Sequence, residues 1–334
     1  MPARRSALLR LLVGVVISAI FLVVTLRNVD LGKAADAIGH AAPAWLAIAL
    51  VIVLIDLCLR ALRWHVLLRA VEDPSAPPPP YRLAFGYLTL GFAANFVLPA
   101  RLGDIARAVL AADTFKVPRL SIFGTILIER VSDGLTFLGL AILSSLVVAS
   151  ASELRNLTVY AIALVVAGLV AAAVGWLAIT RSALASTRLA QAILGIVRRL
   201  SAGAGAFHHR GPAISFLALT ALLATTATLV AWAVLQAVGV ALNPIQTVLF
   251  LSGIALSLAI PAAPGAIGTY EFVGVAIITG LGYTPEQGLA TILLMRILTT
   301  FPPALIGLVS IWALHVRPGA IAESSTDAAA EPTP

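Results

Sequence analysis

Apolar residues run along this chain in blocks long enough to cross a lipid bilayer, and polar residues collect between the blocks. Residues 8–26, 44–62, 120–148, 158–179, 213–238 and 288–314 form six such blocks. Each reaches the roughly 20 residues that a helix needs to cross the hydrocarbon layer. Two further apolar regions are interrupted. Residues 83–98 stop at Pro99-Ala100-Arg101-Leu102-Gly103-Asp104, and residues 248–260 stop at Pro261-Ala262-Ala263-Pro264-Gly265-Ala266-Ile267-Gly268-Thr269-Tyr270-Glu271 before 272–281 resume. Proline removes a backbone donor and glycine frees the dihedrals, so no intact helix passes either break. Apolar pieces of about 10–14 residues typify re-entrant segments. Broken backbone survives at membrane depth only where protein or a water-filled cavity satisfies its polar groups. The pattern therefore predicts an all-α polytopic membrane protein with six full transmembrane helices and two re-entrant helical hairpins. Eight spans result if one arm of each hairpin crosses completely. Pro99, Gly103, Pro261, Pro264, Gly265 and Gly268 would set the hairpin geometry.

Composition agrees. Hydrophobic residues make up 60% and charged residues 11%, against about 25% charged in soluble domains, and the mean hydropathy is +1.02. The lone cysteine, Cys58, excludes an intrachain disulfide. A net charge of +7 raises nucleic acid as a partner, but in a membrane protein it reflects cytoplasmic Lys/Arg beside anionic lipid, and no nucleic-acid partner is expected. With the N-terminus inside, 17 of the 22 basic residues fall on inner segments and three on outer ones. That asymmetry predicts cytoplasmic N- and C-termini in the inner (plasma) membrane. Trp45, Trp64, Trp176 and Trp312 fall near span ends, where interfacial aromatics belong. Residues 181–210 alternate apolar and basic positions as an amphipathic helix on the inner leaflet would. Residues 1–317 read as one transmembrane domain, and the tail 318–334 as disordered.

An internal repeat is visible. Pro99-Ala100-x-x-Gly103-x-Ile105 matches Pro261-Ala262-x-x-Gly265-x-Ile267 at an offset of 162, and Thr125-Ile126-Leu127-x-x-Arg130 matches Thr291-Ile292-Leu293-x-x-Arg296 at 166. The repeat halves run over about 44–179 and 213–317. Three spans separate the hairpins, which makes the repeat an inverted one, as in many transporters.

Ionisable side chains inside spans cost roughly 2.5–3.5 kcal/mol each at a helix centre. Glu129, Arg130 and Asp133 share one span and Arg296 lies in the last. The bland reading is a structural ion-pair cluster. The functional reading is an anion site in which Arg130 and Arg296 meet a phosphate, since a guanidinium offers paired donors. Arg101, Asp104 and Arg107 in the first break could receive a headgroup, and Glu271 is the acidic candidate after the second. Asp56, Arg60 and Arg63 read as pairing along their helix or reaching toward headgroups. The histidines lie in loops or at span ends. No metal motif, phosphate-binding loop or nucleophile elbow occurs, so neither enzyme activity nor cofactor nor metal is expected.

Arg60-x-x-Arg63-Trp64, Asn95-x-x-Leu98-Pro99-Ala100-Arg101-x-Gly103-Asp104-x-x-Arg107, Glu129-Arg130-x-x-Asp133 and Pro261-x-x-Pro264-Gly265-x-x-Gly268-Thr269-x-Glu271 resemble the lysylphosphatidylglycerol synthase transmembrane-region family, also called the flippase-like domain family. The resemblance implies a lipid translocase without the soluble aminoacyltransferase domain of two-domain relatives. Its cargo would be an anionic phospholipid, a polyprenyl-phosphate or a hopanoid-type lipid, with homo-oligomers or a lipid-synthesis enzyme as partners. Asp104 stands where the pattern has Glu, and Ala266 where a second Gly is usual. A membrane-embedded lipid-modifying transferase and a non-transporting assembly factor are the alternatives.

Overall fold

The computed structural model describes residues 2–27, 29–71, 79–97, 102–148, 210–258 and 266–316. The expected span at 158–179 with Trp176, the surface helix through residue 209, and the tail lie outside the described residues, as do Pro99, Arg101, Pro261, Pro264 and Gly265. Every element described is a helix: α1 (Pro2–Arg27), α2 (Leu31–Gly39), α3 (Pro43–Val71), α4 (Tyr81–Val97), α5 (Leu102–Phe115), α6 (Arg119–Val147), α7 (Arg210–Ala237), α8 (Pro244–Ser257), α9 (Thr269–Gly280) and α10 (Pro285–Ala313).

Several helix starts are written locally. Asp30 accepts from the N–H groups of Gly32 and Lys33 ahead of α2. Asn243 and Gln246 cap α8 reciprocally, with Pro244 at its first position. At α10, Gln287 N–H donates to Thr284 Oγ1 while Thr284 N–H donates to Gln287 Oε1, both at 3.2 Å. Each device satisfies donors that a helix start leaves orphaned.

Residues 43–70 of α3, all of α7 and all of α10 are long and apolar enough to cross a membrane, and α1 from Gly14 with α2, bent by 81°, forms a fourth candidate. The other block expected to span, 120–148, coincides with α6, which has 29 residues but carries Glu129, Arg130 and Asp133. The interrupted regions become pairs of shorter helices. Helices α4 and α5 have 17 and 14 residues, about 25 and 21 Å at 1.5 Å per residue, against about 30 Å of hydrocarbon. They pack antiparallel: Tyr87 Oη lies 2.6 Å from Thr114 Oγ1, and Asn95 Oδ1 accepts from Gly103 N–H at 2.8 Å. A Cβ on Gly103 would collide with the Gly91 carbonyl and with Asn95, so the arms close only on a glycine. Helices α8 and α9, with 14 and 12 residues, pair through Gly253 against Ile277 and Val273.

The chain divides into two compact units. One comprises residues 1–56, 134–158 and 223–302; the other comprises 57–133, 159–222 and 303–334. The first contains α8 and α9, the end of α7 and the start of α10, with a core that includes Val234, Phe250, Ile278 and Ile292. The second contains α4 and α5, the end of α3 and the start of α6, with a core around Leu57, Trp64, Leu90 and Ile122.

The helix order repeats. Helices α3 to α6 begin at Pro43, Tyr81, Leu102 and Arg119, and α7 to α10 at Arg210, Pro244, Thr269 and Pro285, each 163–167 residues later. Long, short, short, long occurs twice. The Thr-Ile-Leu-x-x-Arg match keeps helical register. The Pro-Ala-x-x-Gly-x-Ile match does not, because Ile105 lies inside α5 whereas Ile267 lies in the turn before α9. The second break is the longer one, and that displaces the register.

Candidate functional site

In each unit a short helix begins with an acid that reaches an arginine on the next long helix. Asp104 is the third residue of α5, and its Oδ2 accepts from Arg130 at 2.7 Å. Glu271 is the third residue of α9, and its Oε1 lies 2.8 Å from an Arg296 terminal nitrogen. A carboxylate in the first turn also meets the positive end of the helix dipole, which stabilises it. Ion pairing offsets part of the cost of placing each arginine in an apolar helix.

The supports differ. Asn95 donates to Asp104 Oδ1 at 3.3 Å while its own carbonyl holds Gly103 N–H. Glu271 does both tasks itself, since its Oε2 accepts from Gly268 N–H at 2.6 Å. Gly268 sits at φ 93°, and a Cβ there would collide with the Ser18 carbonyl of α1. The Arg296 guanidinium stacks 4.6 Å from the centroid of Tyr270, a cation–π contact with no counterpart around Arg130 among the described residues.

Beside Arg130 lies a buried cluster. Arg63 on α3, whose side chain is 2% exposed, forms a two-pronged pair with Asp133, one prong at 3.1 Å, and its Nε lies 3.7 Å from Glu129 Oε1. Arg107 on α5 donates to Glu129 Oε2 at 3.1 Å and stacks 4.5 Å from the Trp64 ring centroid. Trp64 is fixed in turn by its indole N–H on Thr125 Oγ1 at 3.0 Å. Glu129 and Asp133, one turn apart, thus face inward. Arg130 projects to the other side, with its side chain 42% exposed between the exposed Leu127 and Val131.

The structure sorts the expected residues accordingly. Glu129, Asp133 and Arg107 come together in the buried cluster, so Arg107 is occupied by Glu129 rather than open at a surface. Arg130 with Asp104, and Arg296 with Glu271, form the two paired sites. Arg101 lies outside the described residues. Arg63 is a central member rather than a headgroup-seeking side chain, and Asp56, its neighbour in sequence, accepts from Thr226 at 2.7 Å. Trp64 is wholly buried, not interfacial. Both belong to the end of α3, and their signal was a charged residue and an indole in a helix that continues to Val71 with Val66, Leu67 and Leu68 still apolar. Tyr270 was also missed, although an aromatic next to an acid inside a membrane segment is the pattern of a cation–π partner.

Long apolar helices, two pairs of shorter helices, and ion-paired side chains among them define a polytopic membrane protein with charged residues packed between its helices. Residues 11–307 match the Lysylphosphatidylglycerol synthase TM region, and the chain belongs to that family. It is 26% identical to Glycosyltransferase AglD of Haloferax volcanii over 94% of this chain and 56% of that protein. It is 27% identical to a UPF0104 membrane protein of Methanothermobacter thermautotrophicus over 55% of this chain and 54% of that one. The chain thus spans about half the length of the curated relatives it matches.

Proposed function

We propose that this protein moves a lipid with a phosphate-bearing or other polar headgroup across the plasma membrane without altering it covalently. Arg130 and Arg296 contact the headgroup, and Asp104 and Glu271 hold them until it arrives. Both termini face the cytoplasm in this reading, in keeping with the crowding of Lys and Arg on alternate connections. The observation that carries the reading is the position of Arg130. It stands among exposed apolar residues, Leu127 and Val131, and is itself more exposed than the carboxylate that pairs with it; facing lipid, a guanidinium there is costly. A phosphate group presents anionic oxygens to a guanidinium as a carboxylate does, so the arginine can exchange its hydrogen bond to Asp104 for one to phosphate. The stacked Arg296 offers the same chemistry in the other unit.

Transbilayer movement of labelled phosphatidylglycerol in reconstituted vesicles tests this. The Arg130→Ala, Arg296→Ala double variant should lose movement while remaining folded. Movement at the wild-type rate removes both arginines from the pathway.

A further inference from the structure

The internal repeat supplies a comparison that isolates what one unit has and the other lacks. Matching helices by their starts places Glu271 opposite Asp104 and Arg296 opposite Arg130, so the exposed ion pair occurs in both units. The buried cluster does not. The positions of Arg63, Arg107, Glu129 and Asp133 are taken by Val230, Gly274, Met295 and Thr299, and that of Trp64 by Ala231. Val230 and Met295 are buried, as are the residues they match. All four charges are missing together, as expected of a mutually neutralising set in which any remnant would be left unpaired. Helices in the same long, short, short, long order form without them.

Buried ion pairs of this kind add little net stability over well-packed apolar residues, so the joint does not need the cluster in order to hold. The cluster also has more donors than acceptors. The side chains of Arg63 and Arg107 are 2% and 3% exposed, yet among the described residues neither Nε has a hydrogen-bond acceptor. Both guanidiniums approach Glu129, Arg63 also grips Asp133, and Trp64 forms a rigid floor beneath Arg107. Unfilled donors on two adjacent buried arginines call for one more anionic oxygen set.

We propose that Arg63 and Arg107, with Glu129 as the resident competitor, form a phosphate-binding site present in this unit alone. It would hold the phosphate of a lipid headgroup in this unit, whereas the other unit has no matching set of residues. This rests on the lipid-translocation reading for its lipid ligand, and the phosphate chemistry is shared with free inorganic phosphate.

Calorimetric titration of the full chain in detergent separates the outcomes. Dihexanoyl phosphatidylglycerol should bind and inorganic phosphate should compete with it. Tighter binding of the lipid assigns the site to headgroups, whereas equal binding of phosphate alone assigns it to the free anion. Glu129→Gln should tighten phosphate binding several-fold, a response that a purely structural ion pair would not give. The combined variant Arg63→Val, Arg107→Ala, Glu129→Met and Asp133→Thr should fold and lose at least tenfold in affinity. An unchanged phosphate affinity in Glu129→Gln, or a combined variant that either fails to fold or binds as wild type, overturns the proposal. A wild-type protein that binds the probe but moves no lipid leaves this site standing and removes the transport reading.

Discussion

Arg130 and Arg296 occupy the same place in their helices. Each is the twelfth residue of a helix of 29, α6 and α10, and each reaches the third residue of the short helix before it. The joint between hairpin and long helix is thus made twice with one recipe, while its surroundings differ.

Arg63 should be the most sensitive charged residue for stability. Arg63→Ala leaves Asp133 without the arginine that grips it and Glu129 with one arginine fewer. The expected loss is about 3–5 kcal/mol. Thermal unfolding of the detergent-solubilised protein checks it, and Arg63→Lys should rescue only part, because an ammonium cannot reproduce the two-pronged geometry.

Two positions in the turn before α9 should respond with opposite signs. Ala266 sits at φ 51°, a left-handed conformation costing a residue with a Cβ about 1 kcal/mol. Ala266→Gly should therefore raise the unfolding temperature. Gly268→Ala should lower it by more, since the added Cβ meets both φ 93° and the Ser18 carbonyl. Equal shifts for the two would refute this account of the turn.

Gly103→Val should spread α4 from α5. The side chain has no space against Gly91 and Asn95, and separation breaks the Asn95–Gly103 hydrogen bond. Faster amide exchange over residues 91–107, with exchange at α8 and α9 unchanged, is the expected signature.

Tryptophan burial can be read optically. In variants retaining a single tryptophan, brominated acyl chains should quench Trp312, which is 81% exposed, and leave Trp64 unquenched. Trp64→Phe should also cost about 1 kcal/mol through the lost bond to Thr125.

Both breaks and both paired arginines were legible in the chain, because proline, glycine and charge are rare in apolar runs and each is conspicuous alone. The role of Arg63 was not. Its partner Asp133 lies 70 positions away, and from sequence only neighbours one or two turns along the same helix can be offered as partners, so Arg63 and Trp64 read as the end of a span. The two candidate readings of Glu129, Arg130 and Asp133 also could not be separated from spacing. One helical step apart, Glu129 and Arg130 point about 100° away from each other, and only packing decides which direction is buried.

Asp104 has help from Asn95, and among the described residues Glu271 has no such helper. In the first hairpin the helix start is satisfied by Asn95, so the acid only has to reach its arginine and the shorter side chain suffices. In the second, one glutamate must reach both its own helix start and Arg296, which fits the longer residue. Tolerance to change is therefore unequal: the first joint degrades in steps, one side chain at a time, whereas the second has a single point of failure.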